Sequence, residues 1–346
     1  MAYKNIAKSL VRFDLTGTEN EVYRQNAEKA MNILCSDIAP STGQHYGPYW
    51  SKFSAFCEEN GHEILPSTVT DICVFLTLTS GRGLHAVLMA RAAIRYYNLK
   101  FNSNKVSPTD DMKVANLVVG LRRQLGKPVN KREPIQHDLL LKVVKEFLPE
   151  GLTSDVNLIN FRWACFYSMM FYCSSRYEEM AYVNLGDIKF TQEGNVKINF
   201  RKAKNNQMGN CLTSYVAKLG GSFCPSGLLS LYIDMLKDNG HVESDALFPN
   251  FRGHKILPNS RISSGNARKK LKDTLVDVGL SVDYADKFGL HSFRIGAVST
   301  ALGSGKLLEV EVQKAGRWKS SETVKSYYVA SESQMCKFSK VLGGAI

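Results

Sequence analysis

Apolar residues recur at helical spacing through most of the first 126 positions. Asn20 to Ala39 reads as a helix ended by Pro40, which removes a backbone donor and disfavours helical geometry before it. Ser41 or Thr42 can cap the next helix, which carries Tyr46, Trp50, Phe53, Ala55 and Phe56 and stops at Gly61. Pro66-Ser67 opens another, with Val69, Ile72, Cys73, Phe75, Leu76 and Leu78 on its apolar positions. Leu84 to Leu99 continues through Val87, Leu88, Ala92, Ile94 and Tyr97, and Lys113 to Leu125 ends in Arg122-Arg123 before Gly126. The rhythm then breaks. Gly126 to Pro134 holds two prolines and four charged side chains in nine residues, so the interdomain linker is placed at 127–134.

Beyond the linker, helices are expected at about 136–148 and 153–173. The second contains the longest apolar run of the chain, Trp163 to Cys173, interrupted only by Ser168. The period changes after Val183. Asp187-Ile188-Lys189-Phe190, a turn at Glu193-Gly194-Asn195, the alternating Val196 to Phe200, a second turn near Asn205 to Gly209, and Cys211 to Val216 predict about three antiparallel strands. From Ser226 helices return and continue to the C-terminus. The expected architecture is therefore mostly α with a small antiparallel β-sheet: an all-helical domain over 1–126 and an α+β domain over 135–346 with a helical tail.

Composition sharpens this picture in one respect. With 346 residues, 44% hydrophobic and 22% charged, the chain has room for two ordinary cores. Its net charge is +12, divided as +3 over 1–126 and +9 over 127–346. Such an excess attracts polyanions, of which DNA is the commonest inside cells. The eight cysteines are scattered without a Cys-x-x-Cys pair, which argues against a structural zinc site and for small core residues. MAYKNIAKSLVRF is basic and mixed rather than signal-like, and no apolar run approaches a bilayer span. An intracellular protein with no membrane partner is expected.

The chemistry is concentrated in a few segments. His291-Ser292-Phe293-Arg294 is followed by Gly316-Arg317-Trp318 and then Tyr327, while Arg176, Glu179 and Lys204 lie upstream. Each alone is ordinary: arginines are mostly solvated, and a single Trp or Tyr is mostly core. Together they supply what phosphoryl transfer needs, namely a nucleophile, cations around the non-bridging oxygens and an acid for the leaving oxygen. Arg suits the oxygens because its planar fork makes two parallel bonds and stays charged. A phenol is a workable nucleophile whose phosphodiester preserves bond energy for rejoining. No rival centre is present. Gly303-Ser304-Gly305-Lys306 lacks the spacing and hydroxyl of a P-loop, and no Ser/His/Asp elbow or helical His pair occurs.

These segments resemble the tyrosine recombinase and integrase family over most of the chain. Cys173-Ser174-Ser175-Arg176-Tyr177-Glu178-Glu179-Met180 is similar to the family's first arginine box, which implies that Arg176 grips the scissile phosphate and Glu179 buttresses it. Arg201 to Gln207 is similar to the lysine turn, with Lys204 as general acid to the leaving 5′ oxygen and Lys202 as the alternative. His291 and Arg294 match the His-x-x-Arg box, continued by Ile295-Gly296-Ala297. Trp318 stands where many members have a second His, and its indole N–H can still donate to phosphate. Tyr327 follows nine residues later at a family-like spacing, with Tyr328 as the neighbouring alternate.

The resemblance further implies a C-shaped clamp on double-stranded DNA, closed by a core-binding domain and a catalytic domain, and a site-specific recombinase forming a 3′-phosphotyrosyl intermediate. It implies no metal, no other cofactor and no small-molecule substrate. Arg122, Arg123, Lys127, Lys131, Arg132, Arg268 and Lys269 are candidate DNA contacts. A homo-tetramer on DNA, linked by a tail donated from Ser331 to Ile346, is the expected assembly; the same tail packed on its own domain is the alternative. The wording Gly-Arg-Trp-Lys-Ser, without a separate N-terminal arm-binding domain, resembles recombinases of eukaryotic mobile elements of the Crypton and DIRS-like groups, which implies a nucleus. Arg268 to Lys272 is then a candidate import signal. Two other functions are open: a domesticated DNA-binding protein that has lost the reaction, and a type IB topoisomerase or telomere resolvase.

Overall fold

The first third forms five helices, α1 (Glu21–Leu34), α2 (Pro40–Glu59), α3 (Val69–Thr79), α4 (Leu84–Phe101) and α5 (Met112–Leu125), and the apolar stripes of the last four close on one another. The structure is a computed structural model that describes residues 19–34, 38–101, 106–126, 131–148, 157–201, 212–331 and 334–336. The chain divides into two compact units, 1–129 and 130–346. In the first, Trp50 stacks on Tyr97 at 4.6 Å and packs with Phe53, Phe75, Ile94 and Val118 in one core, so Trp50 and Phe53 are the core residues their spacing predicts. Pro40 does not end a helix. It is the first residue of α2, with Ala39 as the cap rather than Ser41 or Thr42, because proline's fixed φ and missing N–H suit a first turn. Similarly, α3 is capped by Thr68, whose hydroxyl accepts from the Asp71 N–H at 3.0 Å.

The second unit is built around a helix that is apolar on every side. After α6 (His137–Phe147), α7 (Leu158–Tyr172) buries every side chain from Phe161 to Phe171, including that of Arg162. A helix without a polar face must be surrounded. It packs against α6, α9 (Pro225–Asp238) and α12 (His291–Gly303). Arg162 is accommodated by the Trp163 and Phe251 rings and the Pro249 carbonyl, and burial brings its pKa down to about 10.

Between α7 and α9 lie the short α8 (Tyr177–Ala181) and the sheet β1 (Ile188–Phe190), β2 (Val196–Phe200) and β3 (Leu212–Val216), in that order and antiparallel. Val196, Ile198 and Phe200 turn inward at period two, as the alternation predicts. One expectation fails after α9. Helices do not simply return, because β4 (Pro249–Arg252) and β5 (Lys255–Arg261) form a two-stranded hairpin. Its prolines, Pro249 and Pro258, obscure the strand pattern, and they are tolerated because a two-stranded ribbon has only edges. Then follow α10 (Ser264–Asp277), α11 (Val282–Ala285), α12, α13 (Glu309–Ala315) and α14 (Ser321–Tyr327).

Gly296 sets the position of α12. A Cβ there would fall 1.7 Å from the Ile135 carbonyl oxygen and 2.5 Å from its carbon, so the helix lies directly on the 131–136 backbone. Glycine to alanine inside a helix normally stabilises by about 1 kcal/mol. Here the backbone overlap dominates, and Gly296→Ala should destabilise by roughly 1–3 kcal/mol in urea unfolding. A variant as stable as the wild type would show that α12 is free to shift.

Candidate active site

Five of the six residues expected to act on DNA converge in the second unit, each delivered by a local feature of the backbone. Helix α7 ends at Tyr172, and Ser174 turns the chain with φ +44°. That turn sets Arg176 at the N-cap of α8, where its backbone N–H donates to Glu179 Oε2 at 3.1 Å and its Nη1 donates to Oε1 at 2.6 Å. His291 and Arg294 stand three apart on the first turn of α12 and so face one way. Trp318 follows α13, and Tyr327 is the last residue of α14.

Side chains then meet in a layered stack. The Arg294 guanidinium lies 3.8 Å from the Trp318 ring centre and 5.3 Å from that of Tyr327. The Tyr327 ring is 5.4 Å from Trp318 and 5.0 Å from His291. Gly316 is required by this stack, because a Cβ there would fall 1.4 Å from the Trp318 ring. Tyr327 and Tyr328 both pack against Val298, Val312, Trp318 and Val324, but of the two only the Tyr327 ring also meets His291 and the Arg294 guanidinium among the described residues.

Electrostatics follow from one carboxylate among several cations. Burial would raise the pKa of Glu179, but Arg317, the Arg176 N–H, Arg294 and the Arg176 side chain outweigh it and hold the carboxyl below its usual value. Arg294 is wholly buried, and burial with Arg176 nearby brings its pKa down to about 10. At His291 partial burial, Arg294 and Arg176 lower the pKa against a weaker pull from Glu179, which favours a neutral imidazole beside the Tyr327 ring. Arg294 donates to the carbonyls of Ser174 and Gly316, the latter at 3.0 Å. Its Nε, the Trp318 Nε1 and the Ser174 hydroxyl are buried without a hydrogen-bond partner among the described residues. Each such group costs about 1–3 kcal/mol unless something satisfies it.

A model of the phage integrase family matches residues 140–335, more than half of the chain and all of the residues just described. The chain belongs to the phage integrase family. Similar folds occur in several tyrosine recombinases. A crystal structure of the XerH site-specific recombinase bound to palindromic difH substrate in a post-cleavage complex superposes with a TM-score of 0.64 at 14% identity, covering 99% of this chain and 94% of that one. A lambda integrase dimer bound to a COC′ core site gives 0.52 at 14% identity over 91% and 83%. The Tn1549 transposon integrase in complex with a circular intermediate DNA gives 0.52 at 9% identity over 98% and 99%. No curated protein sequence matches.

Within this integrase-family fold, the remaining expected residues are distributed unevenly. Lys202, Lys204 and Lys127 lie outside the described residues, and so does most of the tail from Ser331 to Ile346. Lys131 and Arg132 line a cavity of about 380 Å³ together with His291, Thr323, Ser326 and Tyr327. Arg268 lines a neighbouring groove of about 400 Å³ with Arg132, Glu178, Ser264 and His291. Lys269 is exposed on α10, and Arg122 and Arg123 are exposed in the last turn of α5, in the other unit. No group of His, Cys, Asp or Glu suited to a metal ion occurs among the described residues. None of their helices is long and apolar enough to cross a membrane. Cys57, Cys165, Cys173 and Cys224 are buried, whereas Cys336 is exposed.

Two residues at the site have no role assigned from the sequence. Ser174 contributes a carbonyl to Arg294, and Arg317 contributes a second ion pair to Glu179 at 3.1 Å. The signal for Arg317 was in plain view as the middle residue of Gly-Arg-Trp. Its partner, however, lies 138 positions away in the chain.

Proposed function

We propose that this protein is a site-specific recombinase that cuts and rejoins DNA strands through a 3′-phosphotyrosyl intermediate. The observation that carries the reading is the cluster of buried, unpartnered donors at Arg294, Trp318 and Ser174 beside the ring of Tyr327. Donors left unsatisfied in one place, under an excess of positive charge, are what a phosphate-binding centre requires. Tyr327 attacks the phosphorus, the phosphorus–O5′ bond breaks, and neutral His291 receives the phenolic proton. Lys204, or Lys202, protonates the 5′ oxygen. Arg176, whose side chain is 23% exposed where that of Glu179 is 3%, bonds the non-bridging oxygens. Arg294 acts in this conformation through its field, since both of its Nη atoms bond carbonyls and its Nε is buried. A 5′ hydroxyl from a partner strand then gives its proton to the lysine and displaces Tyr327, which recovers its own proton from His291.

The DNA backbone runs past Arg132 and Arg268 in the two grooves that flank His291. Mobile-element integration, excision or resolution is the biological setting, in a eukaryotic nucleus, with a tetramer assembled on the DNA through the tail. The test is incubation of the full chain with nicked suicide duplexes drawn from the DNA flanking its own gene. A covalent adduct that releases a Tyr327-linked oligonucleotide on proteolysis is expected. A folded, DNA-bound protein that forms no adduct on any duplex would leave the DNA-binding alternative standing. Supercoil relaxation by a monomer without strand exchange would favour the topoisomerase reading.

A further inference from the structure

We infer that Arg317 is a positioning residue for strand cleavage, which holds Glu179 away from Arg294 so that the positive charge of Arg294 stays available to the DNA phosphate. The inference rests on the reading proposed above. Arg317 has φ +60°, a left-handed conformation that a glycine adopts freely and an arginine does not. A turn alone therefore gives no reason for arginine here. Its side chain is 6% exposed, donates from Nη1 to the Cys173 carbonyl at 3.0 Å, and lies 4.4 Å from the Phe200 ring centre at the end of β2.

What that arrangement achieves is a division of one carboxylate among three guanidiniums. Glu179 Oε1 is taken by Arg176 at 2.6 Å. Its Oε2 accepts from the Arg176 N–H and from Arg317, each at 3.1 Å. Arg294 Nη1 is left 3.9 Å from Oε2, beyond a hydrogen bond. Without Arg317, a small rotation of the carboxylate would bring Oε2 onto Arg294, the other buried guanidinium within reach. The fields of the two would then cancel beside Tyr327. Truncating Arg317 thus removes charge from the reacting phosphate without touching it.

The experiment compares the full-length wild type with Arg317→Gly, Arg317→Met and Arg317→Lys on a suicide duplex. Arg317→Gly relieves the backbone, while Arg317→Met keeps the packing on Phe200 and loses the charge. Duplex affinity should stay within about threefold, and the rate of adduct formation should fall about 10²-fold in both, the size expected for one electrostatic contributor. Arg317→Lys should recover at least half of that loss on a logarithmic scale. The acidic limb of the rate–pH profile should also move to higher pH in the Gly and Met variants. Glu179 is faced by Arg176, by Cys173 at the end of α7, by His291 and Arg294 from α12 and by Arg317. Burial raises its pKa, and Arg317 leads the groups that pull it down. Cleavage within threefold of wild type, or an unmoved acidic limb, overturns the inference. So does a set in which only the Lys variant folds, because the role is then structural. No adduct from the wild type sinks the recombinase reading itself and takes this one with it.

Discussion

Tyr327→Phe should form no covalent adduct with DNA, a loss on the order of 10⁴-fold or more, while Tyr328→Phe retains it. The substitution is a clean one for physical reasons. Phenylalanine keeps the ring that meets His291 at 5.0 Å, Trp318 at 5.4 Å and the Arg294 guanidinium at 5.3 Å. The hydroxyl it removes makes no hydrogen bond among the described residues, so stability should change by less than about 1 kcal/mol. Non-covalent retention of duplex should be unchanged, because the phosphate-facing cations remain. Adduct formation by the Phe variant would move the nucleophile to Tyr328. An equal loss in both variants would mean that the end of α14 matters as a packed unit and not through one hydroxyl.

Much of this site was legible because its groups come in short, stereotyped segments. His291 and Arg294 are three apart on one helix, and the first arginine box holds Arg176 and Glu179 in a single turn, so spacing alone implies a shared face. The largely apolar α7 was equally visible, since a run of that length broken only by Ser168 has to be central. The hairpin of β4 and β5 was not. Its two prolines and its Gly253-His254 turn carry no clear alternation, and its exposure pattern shows why: only Pro249 is fully buried along the two strands. Pro40 misled in the opposite way, because a proline reads equally as the stop of one helix and the start of the next.

The deeper gap concerns long-range polar contacts. The complete burial of Arg294, its bonds to the Ser174 and Gly316 carbonyls and the second claim on Glu179 by Arg317 all join segments more than twenty positions apart. Spacing rules do not reach so far. The structure also shows a cost that the sequence does not: an arginine where a left-handed backbone favours glycine.

Glu179→Ala should be the most damaging substitution for stability, at about 3–5 kcal/mol, since it strands buried cations instead of merely removing an ion pair. The Glu179 side chain is 3% exposed, Arg317 is 6% and Arg294 is 1%, so water cannot replace the lost carboxylate. Glu179→Gln should cost less, because the amide oxygen can still accept from the Arg176 N–H. The same carboxylate gives a pH signature of defined sign. Its folded pKa lies below the ordinary 4.5, so the folded state holds the charged form more tightly than the unfolded chain does. Its contribution is therefore complete above the unfolded pKa and is lost as pH falls through the folded one. Wild type and Glu179→Gln should thus converge in urea-unfolding stability as the pH is lowered from about 5 to below the folded pKa of Glu179. A constant difference between them across that range, or a cost below about 1 kcal/mol for the Ala variant, would show that the Arg294 and Arg317 guanidiniums are held by their carbonyl and ring contacts alone.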